Sequence, residues 1–214
     1  MRTFLPTTQD ATIYERYPTL NTGLDEIIEV GKIIKSLDGP NQYASGSARI
    51  LLDFNIPSTQ QYSTSSVYYL NLRIANATNV NRYQQLLVYP VSRNWVEGSG
   101  YFYQDVENVE DGVTWQQATN ITNWTTSGSD YTTVLYSTHS ISNVPIEDIK
   151  INVTSIIAPV VAGNNATTWR GLVIKFPDAD ELDSTNVGNI KFFSGNTHTI
   201  FAPKLEIVSV NQTF

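Results

Sequence analysis

The chain has 214 residues, of which 13 are Lys or Arg, 20 are Asp or Glu and none is Cys, so its formal net charge is −7. This length suits one domain with a substantial core, and the lack of cysteine excludes disulfides and thiolate metal sites. Nucleic-acid binding needs clustered Lys and Arg, so the acidic balance argues against a nucleic-acid partner.

Alternating apolar and polar residues predict β-strands along most of the chain. The clearest segments lie at 48–56, 68–74, 149–153, 172–176 and 205–207. Their apolar residues occupy every second position, which marks a strand with one buried face. Clusters of Gly, Asn, Asp and Pro between the segments predict turns. We therefore expect an all-β fold, an antiparallel two-sheet β-sandwich or jelly roll.

One segment follows a helical period instead. Its apolar residues recur three and four positions apart, Thr154 or Ser155 can cap its start, and Gly163 can end it. Pro159 is tolerated because it falls near the first turn. We expect one short helix within 154–162, closing an end of the sandwich.

The chain shows no internal repeat and no linker-like change of composition, so a single domain over 1–214 is predicted. The Thr-, Ser- and Asn-rich stretch 119–142 is interpreted as a long excursion between strands. No secretory signal precedes the first strand, and no apolar run is long enough to span a membrane.

Several short pieces, in the right order, resemble the DNRLRE-type β-sandwich modules, which include a family of carbohydrate-binding modules. The pieces lie at 10–14, 17–23, 28–31, 48–54, 192–194 and 203–207. They match the D-A-x-[VI] strand, the P-x-x-N-x-G turn, the x-V-G strand, the R-x-L-L-x-F strand and the closing F-x-S … P-x-L-x-[VI] strand of those modules. The W-V-E-G sequence at 95–98 and Thr114-Trp115 are similar to the W-x-E-G … T-W pieces. The resemblance implies a β-sandwich and a binding role.

Catalysis is not expected from the two histidines. Nucleophilic catalysis needs a base beside Ser or Thr and a third group that orients the base. His139 lies in a Ser/Thr-rich segment and His198 in a Gly-Asn-Thr-His-Thr turn, and neither belongs to a recognisable motif. We therefore predict that the protein is not an enzyme.

Two acidic segments could bind calcium, which takes six to eight oxygen ligands. The candidate calcium ligands are Asp178, Asp180, Glu181 and Asp183. A second acidic segment carries Asp105, Glu107, Glu110 and Asp111. Neither segment has EF-hand spacing, and solvated acidic loops explain both equally simply. No other cofactor is predicted.

Aromatic residues provide the candidates for contact with a partner or a glycan. Trp95 and Trp115 are expected to pack in the core or at its rim. Tyr101, Phe102 and Tyr103 are consecutive, and successive side chains of an extended chain point to opposite sides, so at least one of the three should be exposed. Such a ring could stack on a sugar or fill a pocket on a partner.

Arg49, at the start of the R-x-L-L-x-F strand, is predicted to form a salt bridge at a strand edge with a neighbouring acid. Its side chain lies on the face opposite Ile50 and Leu52. We expect a structural role for this charge.

Two hypotheses for the function remain. In the first, the chain is a non-enzymatic structural subunit of a bacteriophage virion, in the tail or baseplate or attached to the particle surface. Its partners would then be other virion proteins, in a homo- or hetero-oligomeric assembly. The Cys-free, Thr-, Asn- and Tyr-rich composition without an export signal suits this location. In the second, it is a stand-alone extracellular carbohydrate-binding module that recognises a polysaccharide.

Overall fold

The computed structural model describes residues 1–36, 43–56, 65–81, 83–102, 111–141, 148–163, 168–183 and 188–209. The strands within these residues are β1 Arg2–Tyr14, β2 Ile27–Ser36, β3 Tyr43–Phe54, β4 Val67–Leu72, β5 Ile74–Thr78, β6 Gln85–Pro90, β7 Gln117–Thr119, β8 Thr122–Asn123, β9 Ser137–Ser140, β10 Ile149–Asn152, β11 Leu172–Lys175, β12 Asn189–Phe193 and β13 Lys204–Val208. The helices are α1 Thr154–Val161 and α2 Asp178–Leu182, with a 3-10 turn at Gly195–Thr197.

The long first strand belongs to two sheets. Its first part, residues 2–6, pairs with β13, which continues through β4 to β10 and forms sheet A. Its second part, residues 7–14, pairs with β3 in sheet B. A register shift between Thr7 and Gln9 separates the two parts, and the Thr7 hydroxyl donates to the carbonyls of Gln9 and Asp53 at 2.9 and 3.0 Å. Such a bulge bends a strand and lets it change sheets.

Sheet B spreads from the other edge of β3. One part of β3 pairs with β2, which continues through β12 to β5. The following part pairs with β11, which continues through β6 to β9. All of these pairings are antiparallel, and the predicted all-β sandwich is confirmed.

The main core lies between the two sheets, where the alternating apolar residues meet. Leu70 and Leu205 of sheet A and Ile50 and Ile174 of sheet B are all fully buried in one cluster. Their burial, at about 25 cal/mol for each Å² of apolar surface, is the dominant favourable contribution to folding.

Helix α1 also contributes to this core. Ile156, Ile157 and Val161 are buried. The predicted helix is thereby confirmed. Pro159 lies in the second turn of the helix and not near the first turn as predicted, and the N-cap residue is Val153, without a side-chain cap, instead of Thr154 or Ser155. Among the described residues, no helix is long and apolar enough to cross a membrane.

A second apolar cluster lies on the outer face of sheet B. A layer of chain, which we call the cover (residues 91–102 and 111–133), packs on that face. The cluster combines sheet residues with cover residues: Ala11, Ile13, Leu51 and Val173 from the sheet, and Val91, Trp95, Val113, Trp115, Ala118 and Trp124 from the cover. The predicted excursion over 119–142 is wrong at both ends, because the cover begins at 91 and β9 returns to sheet B at Ser137.

Candidate functional site

The outer face of sheet A is the most chemically distinctive exposed surface of the described residues. Because Leu205, Leu70 and Ile151 point into the core, their neighbours along each strand point outward. The pairing register then places Phe4 beside Glu206 and Glu206 beside Tyr69. We call this surface the open face, and it comprises Arg2, Phe4, Tyr69, Asn71, Arg73, Lys150, Ile200, Phe201, Lys204 and Glu206.

The centre of the open face is a buried carboxylate. Glu206 is only 2% exposed, and it accepts hydrogen bonds from Lys150 Nζ at 2.6 Å and Asn71 Nδ2 at 3.3 Å. Arg2 Nε lies 3.6 Å from its other oxygen, which accepts no hydrogen bond within the described residues. Burial has the largest effect on the pKa of Glu206 and favours the neutral form. The hydrogen bonds and charges of its partners outweigh burial and hold that pKa below its ordinary value.

Exposed rings and cations surround this carboxylate. Phe4 is 51% exposed, and Phe201 packs against Phe193 with its other side toward solvent. Lys150 Nζ lies 4.3 Å from the centre of the Tyr69 ring, and the Arg73 guanidinium lies 5.7 Å from that of Phe201. Cations at such distances from aromatic faces are attracted to the ring and hold it in place.

The open face forms a shallow cleft of about 730 Å³. Phe4 and Phe201, with the exposed Ile200, provide apolar contact area. Arg2, Arg73, Lys150 and Lys204 place four cations around it against two carboxylates, Asp148 and Glu206, on a chain whose formal net charge is −7. The cleft can therefore hold a partner that combines apolar or ring surfaces with acceptor groups.

The three consecutive aromatic residues lie elsewhere, at the edge of the cover. Tyr101 is 39% exposed, as the prediction of at least one exposed ring required. Phe102 is partly buried against Tyr14 and Tyr17, with ring centres 4.9 and 5.2 Å apart. Tyr103 lies outside the described residues. Partner contact through this segment stays a prediction. Among its described residues, Tyr101 is the exposed ring that could make the contact.

The acidic segment 178–183 forms α2 instead of a loop. Asp178 pairs with Lys175, and Asp180 accepts a hydrogen bond from Gln84 at 2.7 Å. The backbone carbonyl of Asp183 accepts a hydrogen bond from a lysine at 2.6 Å. Within the described part of the chain, no group of three or more His, Cys, Asp or Glu residues could hold a metal ion. Calcium binding therefore stays a prediction without geometric support, and of the second acidic segment only Asp111 is described.

Glu181 has the most buried environment of these acids. Its two oxygens accept hydrogen bonds from Arg49 at 3.0 and 2.6 Å, and Lys175 Nζ lies 3.0 Å away. The predicted salt bridge of Arg49 is confirmed. Its predicted place at a strand edge is wrong, because β3 has neighbours on both sides there and the cover lies above.

The remaining sequence candidates are structural or isolated. Trp95 and Trp115 are 6% and 9% exposed within the second cluster, which confirms that they pack in the core. His139 lies in β9, where burial lowers its pKa, and His198 lies in an exposed turn at φ 51°. Within the described residues neither imidazole is paired with a nucleophile.

Sequence reasoning identified the strands of the open face but missed its site residues. In the sequence K-L-E-I-V at 204–208, the apolar Leu205 and Ile207 already imply that Lys204 and Glu206 point outward. The missing information was that Phe4 lies beside Glu206, because this pairing joins residues near opposite ends of the sequence. A scan against family models finds no match to this chain, and a search of curated proteins finds none either.

Proposed function

We propose that the chain is a non-enzymatic binding subunit that attaches to its partner through the open face. In this proposal the chain belongs to a bacteriophage virion, in the tail or baseplate or at the particle surface, and its partners are other virion proteins. The observation that carries the proposal is the exposure of Phe4, Ile200 and Phe201 around the anchored carboxylate of Glu206.

Burial of these side chains would supply binding energy. Fully burying one large apolar side chain is worth about 1.5–3 kcal/mol, and a few central rings carry most of the energy of typical interfaces. The cations at the rim of the cleft favour a partner with an acidic surface. The cleft thus combines exposed apolar side chains with charged groups, as protein interfaces do.

A carbohydrate-binding module is the second candidate. The observation that favours it is the arrangement of Phe4 and Phe201 beside Asn71 and Lys150 in one open cleft. Sugar rings stack on aromatic faces while their hydroxyls bond to polar neighbours. Both candidates use the same surface, so the distinction between them lies in the partner.

The experiment compares the wild type with the double variant Phe4→Ala, Phe201→Ala. A matched control, Ile121→Ala with Val134→Ala, removes two other exposed apolar side chains, which are 88% and 84% exposed. Incorporation would be measured as the amount of variant in particles purified from a lysate of the source strain, and glycan binding on a polysaccharide array. Far-UV circular dichroism would establish that each variant folds.

For a virion subunit, the open-face variant should lose incorporation by roughly tenfold or more, while the control incorporates normally. For a carbohydrate-binding module, polysaccharide affinity should fall and no particle should contain the wild type. If both variants behave as wild type in both assays, the open face is not the attachment surface. Loss of binding in Tyr101→Ala alone would then place the contact at the edge of the cover.

A further inference from the structure

A second cleft lies on the opposite side of the sandwich, where the cover leaves part of sheet B accessible. Its volume is about 730 Å³, and three arginines from separate parts of the chain line it: Arg49, Arg93 and Arg170. We call this cleft the arginine pocket. Most of its other lining side chains carry hydroxyl groups, and Tyr131 supplies an aromatic ring.

The first two arginines are held rigidly by partners inside the protein. Arg49 is fixed by Glu181 and by the Gly128 carbonyl, 2.6 Å from its Nη1, and its guanidinium lies 4.8 Å from the centre of the Trp115 ring. Arg93 Nε donates to Asp130 at 2.6 Å. A guanidinium has five N–H groups, so both arginines keep donors beyond these bonds.

The third arginine, Arg170, makes no ion pair among the described residues. Trp95 Nε1 donates to the Arg170 carbonyl at 2.8 Å, which fixes the backbone at this position. Because a guanidinium is always charged, a half-buried one favours an anion beside it.

A buried hydroxyl in the wall also lacks a partner. Ser129 is 2% exposed, and its Oγ makes no hydrogen bond within the described part of the chain. Its backbone has φ 89°, a conformation that non-glycine residues rarely adopt. An unsatisfied buried hydroxyl costs free energy, and a ligand oxygen that reached Ser129 Oγ would remove that cost.

Asp130, the carboxylate among the described residues that line the pocket, does not neutralise the charge of Arg170. Asp130 accepts hydrogen bonds from Arg93 and from the backbone amides of Thr125 and Thr126, the latter two at 3.0 Å. Burial, the largest effect, opposes its ionisation, but these donors together lower the pKa of Asp130. Its acceptor capacity is therefore used within the loop. Arg49 is paired with Glu181 and Arg93 with Asp130, so among the described residues Arg170 is the arginine of this pocket without a carboxylate partner.

We propose that the arginine pocket binds a phosphate or sulfate group. Donors from four separate segments line the pocket, at 49, 92–94, 125–133 and 170. One guanidinium in one plane suffices for a carboxylate, whereas a tetrahedral oxyanion presents oxygens in several directions and uses several donor groups. The proposal does not rest on the open face, which belongs to the other sheet.

The test is isothermal titration calorimetry of the folded chain with inorganic phosphate, sulfate, glucose 6-phosphate and glucuronate, in a buffer free of other oxyanions. The key variant is Arg170→Met, which removes the cation that no ion pair holds and keeps the apolar part of the side chain. Arg2→Met on the open face is the matched control. Ser129→Gly, which suits the positive φ, removes the hydroxyl without strain.

We expect wild type and Arg2→Met to bind phosphate or sulfate equally, and Arg170→Met to bind roughly tenfold or more weakly, as the loss of charged hydrogen bonds implies. Ser129→Gly should weaken binding by a smaller factor. Tighter binding of glucose 6-phosphate than of phosphate would identify an oxyanion carried on a sugar, and equal binding a free ion.

Three results would each overturn the proposal. The first is wild-type protein that binds neither phosphate nor sulfate at millimolar concentration. The second is binding of glucuronate alone, which would identify a carboxylate site. The third is phosphate affinity that Arg170→Met leaves unchanged, since the pocket would then not be where the anion binds.

Discussion

The two outer faces of the sandwich are built from similar strands but differ in their exposure to solvent. The outer face of sheet A is open, with Phe4 at 51% exposure. The outer face of sheet B is covered over parts of β1, β3 and β11 by the cover, whose three tryptophans, Trp95, Trp115 and Trp124, are less than a tenth exposed. A sheet face becomes an exposed surface or part of a second core according to where the connecting chain runs.

The difference is also visible within single strands. β4 in sheet A alternates between buried and half-exposed residues, whereas all four residues of β11 in sheet B are buried. One of those four is Lys175, so closing sheet B requires internal partners for its charge. Glu181 supplies a buried partner, and Asp178, whose side chain is 80% exposed, supplies a second one at the surface. Covering a face therefore turns an ordinary surface charge into part of the interior.

The largest expected effect is the loss of a tryptophan beneath the cover. Trp124 is 5% exposed, and its Nε1 donates to the Thr114 carbonyl at 3.0 Å. Trp124→Ala should lower the free energy of unfolding by about 3–5 kcal/mol, through the cavity it leaves and the unpaired carbonyl. Phe4→Ala on the open face should change it by about 0.5 kcal/mol or less. Urea unfolding of both variants measures the contrast, and equal losses would show that the faces do not differ.

The next comparison sets two buried acids against each other, one on each face. Glu181→Gln leaves Lys175, whose side chain is 1% exposed, without its buried counter-charge and should cost about 3 kcal/mol or more. Glu206→Gln leaves Lys150 and Arg2, whose side chains are 43% and 69% exposed and can return to water. Its cost should be about 1 kcal/mol. Thermal unfolding would contradict this reasoning if Glu206→Gln were the more damaging change.

A third prediction concerns how stability depends on pH through Asp10, where the cover is attached to β1. The Asp10 amide donates to Glu97 of the cover at 2.8 Å, and Asp10 Oδ1 is buried without a hydrogen bond within the described residues. Burial, the largest effect, raises the pKa of Asp10 to about 7, with the Glu97 charge adding to it and a hydrogen bond from the Gly195 amide opposing it.

The sign of the pH dependence follows from this raised pKa. The folded state holds the proton of Asp10 more tightly than the unfolded chain does. Its contribution to stability is therefore present in full below about pH 4 and is lost as the pH rises toward about 7. Asp10→Asn should flatten the fall of the unfolding free energy over that range, as measured by denaturant titrations at each pH. An unchanged slope would show that Asp10 is already ionised at low pH.

The smallest effect is expected for an exposed ion pair of the open face. Arg73 pairs with Asp148, and their side chains are 56% and 44% exposed. Arg73→Ala should change stability by about 0.5 kcal/mol or less, and the difference should shrink further at high salt because exposed pairs are screened. A larger loss of stability that does not depend on salt would mean that the Arg73–Asp148 pair contributes more than an exposed ion pair should.

The parts of this structure that could be predicted from sequence are those with a local signal. Alternation at 48–56 and 205–207 identified strands of both sheets, and helical spacing identified α1. The cover was missed although a local signal was present: Leu51 and Val173, which it buries, lie between apolar neighbours, and such continuous runs are typical of strands buried on both faces. The open face was missed because register between distant strands determines which side chains meet. Arg49 was assigned correctly to a salt bridge, since a charge between apolar residues needs an acid wherever it lies.

The central place of β13 in sheet A has a kinetic consequence. β13 lies between β1 and β4, so the first part of β1 has no partner in this sheet, and β4 has only β10, until residues 204–208 are available. Closing so long a loop is entropically slow, and folds dominated by such pairing reach the native state in milliseconds to seconds. Before β13 docks, a nascent chain presents two unpaired strand edges, which are sites for aggregation. Refolding yield should therefore depend strongly on protein concentration.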